Sequence, residues 1–297
     1  MTARSVMMVR PQHFRCNEQT LSSNAFQKAQ DPTPTNLTAS ALAEFDGMKR
    51  QLLSHGISVY EFQEPEGADT PDCLFPNNWI AHIPKDRGII FPMEAPNRQR
   101  EVHLEWIHTL LPNTELLDLR EFAETGEFLE GTGSLILDHK TKSGFACLSS
   151  RTHPRLLEVF EQVTGYTICS FTAKDEAGIP YYHTNVIMTL GQTDAVICLE
   201  AINSPEEQDR VLRKLVEIQK RPLILTRQQV RAFCGNMIQL ENPEGNTFWL
   251  ASESAYKGLT QDQRGQLEEH SKFITAPLFH IEKAGGGSAR CMVAEIF

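Results

Sequence analysis

One order of elements recurs along this chain at intervals of about 53 residues: an apolar strand, a turn, a second strand, a helix and a third strand. The first such segment runs through Trp79–Ile83, Gly88–Phe91, a helix carrying Val102, Trp106 and Leu110, and Glu115–Leu119. The second has Ser134–Leu137, Gly144–Leu148, a helix with Leu156, Val159, Phe160 and Val163 on one face, and Tyr166–Cys169. The third has Val186–Leu190, Ala195–Leu199, a helix and Pro222–Leu225, and the fourth has Met237–Leu240, Thr247–Leu250, a helix and Phe273–Thr275. Two helix starts carry cap chemistry. Ser204-Pro205-Glu206-Glu207 offers an N-cap, a first-turn proline and a glutamate to close a capping box, and Thr260 with Gln263 offers a second box.

A fifth unit exists only if the termini meet. Cys291–Ile296 would be its first strand and Ser5–Val9 its second. A helix with Leu42, Phe45, Met48 and Leu52, stopped by Gly56, would lead to Ile57–Tyr60 as its third. Five similar units, one closed by both termini, predict an α/β ring with pseudo-fivefold symmetry rather than an open array. No proline-rich or charged linker divides the chain, so residues 1–297 are expected to form a single catalytic domain.

Composition narrows the partners. The net charge is −10, from 38 acidic residues against 28 Lys plus Arg, which leaves no footprint for nucleic acid. Seven scattered cysteines without a C-x-x-C pair suggest a reducing compartment. The N-terminal apolar stretch is too short for a signal peptide, and no run reaches the ~18 apolar residues of a membrane helix. The expectation is a cytoplasmic protein that meets neither membrane nor nucleic acid and acts on a small molecule; a homo-oligomer is compatible with this reading. No close His/Cys/Asp ligand spacing implies zinc, so no metal or other cofactor is expected.

Polar residues recur where each unit's first strand begins: Asn78, Glu130, His183, Asn236 and Cys291, at intervals of 52, 53, 53 and 55 residues. In a ring, equivalent positions face the same end of the axis, so these side chains should converge. A lone cysteine is usually a small buried hydrophobe, and a lone histidine is more often structural than catalytic. A cysteine, a histidine and a carboxylate in shared register have instead the composition of a thiol-nucleophile site.

These residues resemble a family. Phe75-Pro76-Asn77-Asn78, Glu130-Gly131-Thr132-Gly133-Ser134, His183-Thr184-Asn185, Cys234-Gly235-Asn236 and Gly285-Gly286-Gly287-Ser288-Ala289-Arg290-Cys291 are similar to the landmarks of the guanidine-modifying enzymes. That superfamily includes arginine deiminase, dimethylargininase and the amidinotransferases. The opening Arg10-Pro11-x-x-Phe14-x-x-Asn17 through Asn24-x-Phe26-Gln27 is closer to the citrulline-utilisation hydrolase branch. The resemblance implies a five-bladed α/β propeller (pentein) of ββαβ units.

It also implies roles. Cys291 would be the nucleophile, attacking the planar carbon of a guanidino or ureido group as its thiolate. His183 would protonate the departing amine and then activate water, and Glu130 would orient the imidazole. Gly285, Gly286 and Gly287 would allow close backbone approach to the substrate, or form a flexible loop. Arginine deiminase-like enzymes carry acids at the positions of Asn78 and Asn185 to grip a guanidinium. Two asparagines there suit a neutral ureido group better, which points to citrulline, converted to ornithine, carbon dioxide and ammonia.

Asp72 keeps the pocket from being wholly neutral. Arg151, and more loosely Arg98, would hold the α-carboxylate, against the alternative of solvated surface arginines. Asn17 lies in a long irregular stretch from Pro11 to Asn36 that either covers the pocket mouth or merely connects. Asn236 reads as a ligand or a turn residue. Cys73 and Cys234 lie near this register with no assigned role. Competing readings are amidine hydrolysis of arginine or a methylated arginine, amidino transfer, and a non-catalytic binding propeller.

Overall fold

The computed structural model describes residues 1–28, 36–84 and 87–297. Its fifteen strands are β1 (Ser5–Arg10), β2 (Ser58–Gln63), β3 (Ile80–Ile83), β4 (Arg87–Ile90), β5 (Glu115–Asp118), β6 (Leu135–Asp138), β7 (Ser143–Cys147) and β8 (Thr167–Phe171), followed by β9 (Met188–Leu190), β10 (Asp194–Ile197), β11 (Arg221–Ile224), β12 (Ile238–Glu241), β13 (Thr247–Ser252), β14 (Lys272–Ala276) and β15 (Ala294–Ile296). They form five three-stranded sheets: β15-β1-β2, β3-β4-β5, β6-β7-β8, β9-β10-β11 and β12-β13-β14. In every sheet the middle strand pairs antiparallel with the first and parallel with the third. The parallel pair requires a crossover, which the unit's helical segment supplies.

Burial follows this order. β3 is buried throughout, whereas third strands such as β2 and β11 are largely exposed. First strands of neighbouring units pack against one another, β15 on β3, β6 on β9 and β9 on β12. The chain ends close the first sheet, with Ser5 opposite Ile296 and Met7 opposite Ala294. The last sheet meets the first where the Glu241 N–H donates to the Ala3 carbonyl at 3.0 Å.

Helices form where the periodicity places them, except that the first unit's helix runs over Leu104–Leu110 and leaves Val102 outside it. Leu37–Ser54 buries Leu37, Ala41, Phe45, Met48 and Leu52 on one face, with Leu42 at its edge, and the chain turns at Gly56 with φ of +81°. Thr260 and Gln263 close their capping box. The Ser204 box does not close. Ser204 accepts the Glu207 N–H, but the Glu207 carboxylate reaches Thr172 of the preceding unit, bonding its N–H at 2.9 Å and its hydroxyl at 2.8 Å. A second difference lies at the C-terminus. β15 begins at Ala294, because Cys291 sits in a turn whose N–H donates to the Ser288 carbonyl at 2.9 Å. Among the described residues no helix is long and apolar enough to cross a membrane.

Candidate active site

Each unit enters its first strand through a tight turn, and the turn fixes where the polar side chain points. Asn78 ends the helical turn Pro76–Asn78 before β3, and Glu130 precedes the turn Gly131–Ser134 before β6. His183 precedes Thr184–Val186 before β9, Asn236 lies two residues before β12, and Cys291 lies three before β15. The proline that opens the first turn has its backbone preset for it. Asn78 and His183 come together over Gly133 with Glu130 on the imidazole, and Asn236 lies against Cys291.

The imidazole Nε2 of His183 lies 2.8 Å from Glu130 Oε2, and Glu130 is fully buried. The other carboxylate oxygen of Glu130 accepts the Glu94 N–H at 3.0 Å. Burial works against the Glu130 charge, but Arg151, the His183 bond and Arg98 outweigh it and hold the carboxyl well below its usual range. Burial pulls His183 down to about 4 despite the attraction of Glu130, so at neutral pH a neutral imidazole donates Nε2–H to a carboxylate. Nδ1 is then the ring nitrogen left for proton transfer. It lies over Gly133 beside the Asn78 amide nitrogen: a Cβ on that glycine would sit 2.7 Å from Nδ1 and collide with Asn78 as well.

Cys291 is only 4% exposed. Its sulfur is faced by amides: Asn236 Nδ2 at 3.2 Å and Asn185 Nδ2 at 3.4 Å. Asn236 also donates to the Asn185 carbonyl at 3.0 Å, which locks the pair. Asn236 is therefore a neighbour of the sulfur and not only a turn residue. Asn78 turns its oxygen to Arg98 Nη1 at 2.7 Å, and its Nδ2 is a buried donor with no partner among the described residues. Asn185 Oδ1 is a buried acceptor, also with no partner among the described residues.

Neither arginine is a solvated surface residue; each is 2% exposed. Arg98 pairs with Glu101 at 2.9 Å, donates to the Phe75 carbonyl at 3.1 Å, and lies 3.9 Å from both Asp72 and Glu130. Arg151 lies 3.4 Å from Glu130 and 3.3 Å from Glu94, over the Tyr182 ring, with Nη2 on the Ser23 hydroxyl at 2.6 Å. Asp72 accepts Asn17 Nδ2 at 2.7 Å; burial raises its pKa, with Arg98 and Asn17 opposing, and its Oδ1 has no hydrogen-bond partner among the described residues. Asn17 belongs to a segment that packs against the site: Asn17, Thr20, Asn24 and Gln27 are all buried, Ser23 meets Arg151, and Asn24 donates to the Gly285 carbonyl. Residues 29–35 of the Pro11–Asn36 stretch fall outside the described residues.

Several participants escaped the sequence reading. Tyr182 donates its hydroxyl to the Gly286 carbonyl at 2.8 Å, and its ring lies 4.7 Å from that of His183. Its place immediately before His183 was the available signal. Ser23 and Glu94 have no local signature, because their partner Arg151 comes from another unit. The glycine run packs tightly: a Cβ on Gly287 would lie 2.8 Å from the Phe75 ring, and Gly286 has φ of +66°. Cys73 and Cys234 are buried thiols whose pKa values burial raises, Cys234 to about 12. Among the described residues no group of three His, Cys, Asp or Glu is placed to hold a metal ion.

The sequence model of the family described as N,N dimethylarginine dimethylhydrolase, eukaryotic, matches residues 10–297. No curated protein matches the sequence significantly. Among solved structures, the N-terminal domain of ArgZ bound to substrate, an arginine dihydrolase from the ornithine-ammonia cycle in cyanobacteria, superposes with a TM-score of 0.76 at 15% identity, covering 98% of this chain and 97% of that one. AgrE in a ternary complex with ornithine and NAD+ gives 0.76 at 16% identity, covering 98% of this chain and 39% of that longer one. A dimethylarginine dimethylaminohydrolase variant, solved as an adduct with S-methyl-L-thiocitrulline, gives 0.63 at 13% identity, covering 99% and 100%. At these identities the likeness to the solved structures is one of fold.

Proposed function

Because the chain belongs to the N,N dimethylarginine dimethylhydrolase family, we propose that it is a cysteine-dependent hydrolase of carbon–nitrogen bonds whose substrate is the ureido group of citrulline. The observation that carries the substrate choice is the pair of unpartnered amide atoms, Asn78 Nδ2 and Asn185 Oδ1. Asn78 must turn its oxygen to the Arg98 guanidinium, so it can offer the site only a donor. A donor and an acceptor together suit the carbonyl and amine of a neutral ureido group. Neither asparagine carries the negative charge that would pair a guanidinium at these two positions, and a buried charge without its own partner costs several kcal/mol, roughly 3–5.

The proton path follows from the neutral imidazole. His183 Nδ1 takes the Cys291 thiol proton as sulfur bonds to the ureido carbon, then passes it to the departing amine as the carbon–nitrogen bond breaks. Water attacks the thio-intermediate next, giving its proton to Nδ1; the carbon–sulfur bond breaks, and the departing sulfur takes that proton back from Nδ1 to restore the thiol and the neutral imidazole. The carbamate released in this way breaks down to carbon dioxide and amine, so citrulline yields ornithine, carbon dioxide and ammonia. Glu130 keeps Nε2 protonated and stabilises the imidazolium between steps. Arg151 receives the substrate α-carboxylate in this reading, because Ser23 on its Nη2 is a neutral and replaceable partner, whereas the Arg98 donors are committed to Glu101, Asn78 and Phe75.

A second reading, hydrolysis of arginine or dimethylarginine, draws on the description of the family itself and on the likeness to an arginine dihydrolase. One assay separates them. Purified protein is incubated with citrulline, arginine or dimethylarginine at about 1 mM, the upper end of ordinary KM values, and ornithine, citrulline and ammonia are quantified. Ornithine from citrulline is expected; turnover of arginine or dimethylarginine with citrulline untouched replaces the first reading by the second. A Cys291→Ser protein that keeps full activity sinks both.

A further inference from the structure

Beside the catalytic loop lies a cavity of about 620 Å3 whose lining includes neither Cys291 nor His183 nor Glu130. Its walls are aromatic: Phe26, Tyr181, Tyr182, Phe233 and Phe279. The Phe26 ring lies 5.5 Å from that of Phe233 and 6.3 Å from those of Tyr181 and Tyr182. Such a volume with such a lining is typical of a small-molecule pocket.

The charged groups on its walls divide into spent and unspent. Asp175 accepts the N–H groups of Ala177 and Ile179 within its own turn, and Arg231 pairs with Glu176 at 2.6 Å. Glu282 is buried, and its partners are hydroxyls, those of Ser254 at 2.7 Å, Ser288 at 2.6 Å and Ser252, with no ion pair among the described residues. Lys28 and Lys283 are exposed lining residues, also without an ion pair among the described residues. A buried carboxylate lacking a cation, set among aromatic faces, suits an ammonium group. The two lysines suit a carboxylate, and the rings suit an apolar body.

We propose that this cavity is a second binding site, for a zwitterionic amino acid with an apolar side chain, and that its occupant is felt at Cys291. Two of the cavity's walls hold the catalytic loop. Tyr182 donates to the Gly286 carbonyl at 2.8 Å, and Glu282 accepts from Ser288, whose carbonyl takes the Cys291 N–H at 2.9 Å. An ammonium on Glu282 therefore acts one residue contact away from the nucleophile's turn. Neither part depends on the proposed substrate.

The test is calorimetric titration of the full-length protein with L-phenylalanine, 3-phenylpropionate and phenethylamine. L-Phenylalanine is expected to bind, and each analogue, lacking one charge, to bind at least about tenfold more weakly. Phe279→Ala and Lys283→Ala, both exposed positions outside the catalytic centre, are expected to weaken L-phenylalanine by a similar factor. No binding at millimolar concentrations, equal binding of either analogue, or indifference to both substitutions overturns the site. Hydrogen exchange of residues 285–291 reads the coupling: slower exchange with L-phenylalanine supports it, and unchanged exchange in a protein that binds overturns it.

Discussion

Asn78 gives its side-chain oxygen to the Arg98 guanidinium, 2.7 Å away, and so presents beside His183 Nδ1 an amide nitrogen with no partner among the described residues. Arg98 is in turn fixed by Glu101 and by the Phe75 carbonyl. The orientation of one amide is thus set by a buried ion pair behind it, and the polarity offered to the substrate follows from that orientation rather than from the residue type alone.

Asn78→Asp tests this relationship. The aspartate would pair with Arg98 and fold normally, but it has no N–H to offer the ureido oxygen. Loss of one oriented donor at a reacting group costs about 100-fold in rate, roughly 2.7 kcal/mol. We expect kcat/KM for citrulline to fall by about that factor with an unchanged melting temperature. Unchanged citrulline kinetics would remove Asn78 from substrate recognition.

The pH profile tests His183. Its pKa is brought down to about 4 by burial, against the pull of Glu130, so the imidazole stays neutral throughout the range from pH 5 to 8. The acid limb of kcat/KM, which reports the free enzyme, is expected below pH 5. A limb centred near the ordinary histidine value of about 6.5 contradicts the assigned proton path. Stability carries the same sign. The unfolded chain binds the His183 proton more readily, so the contribution, about 3 kcal/mol, is present above pH 6.5 and lost as pH falls toward 4.

How far the site could be read in advance differs residue by residue. The inner strands and their polar leaders were legible because a repeat of fixed length repeats its register, and that gave Asn78, Glu130, His183, Asn236 and Cys291 equivalent places before their strands. The burial of Arg98 and Arg151 was not: Glu101 is a local i,i+3 partner of Arg98, but Asp72, Glu94 and Glu130, which enclose the two guanidiniums, come from distant segments and obey no local spacing. The Ser204 capping box failed for the same reason. Thr172, a neighbour only in the fold, competes for the Glu207 carboxylate, and local patterning carries no information about such a competitor. Cys291 lies in a turn rather than a strand because the Ser288 carbonyl captures its N–H.

The segment carrying Asn17 is tied down beside the site by buried hydrogen bonds. Asn17 bonds Asp72 at 2.7 Å and exchanges two bonds with Asn97, at 3.2 and 2.7 Å, all of them buried. Asn17→Ala removes these ties, and each buried hydrogen bond contributes about 1 kcal/mol. Opening of the segment, and with it alkylation of Cys291 by iodoacetamide, is expected to speed up by at least about tenfold. Mass spectrometry of the Cys291 peptide against time measures it. Equal rates in both proteins would mean that reagents reach the sulfur by another path.

Behind the site, Glu64 is 3% exposed, with one carboxylate oxygen lacking a partner. Burial raises its pKa to about 7, with the Cys73 thiol's hydrogen bond opposing. The folded chain therefore holds this proton more tightly than the unfolded one. The stability it contributes is fully present below pH 4.5, the unperturbed value, and is lost as pH rises through 7. Glu64→Gln keeps the shape and cannot ionise. Thermal unfolding of both proteins at pH 5 and pH 8 should show the variant ahead only at the higher pH, by up to about 3 kcal/mol. A difference that is the same at both pH values would place the effect in packing and leave the Glu64 carboxyl without a titrating role.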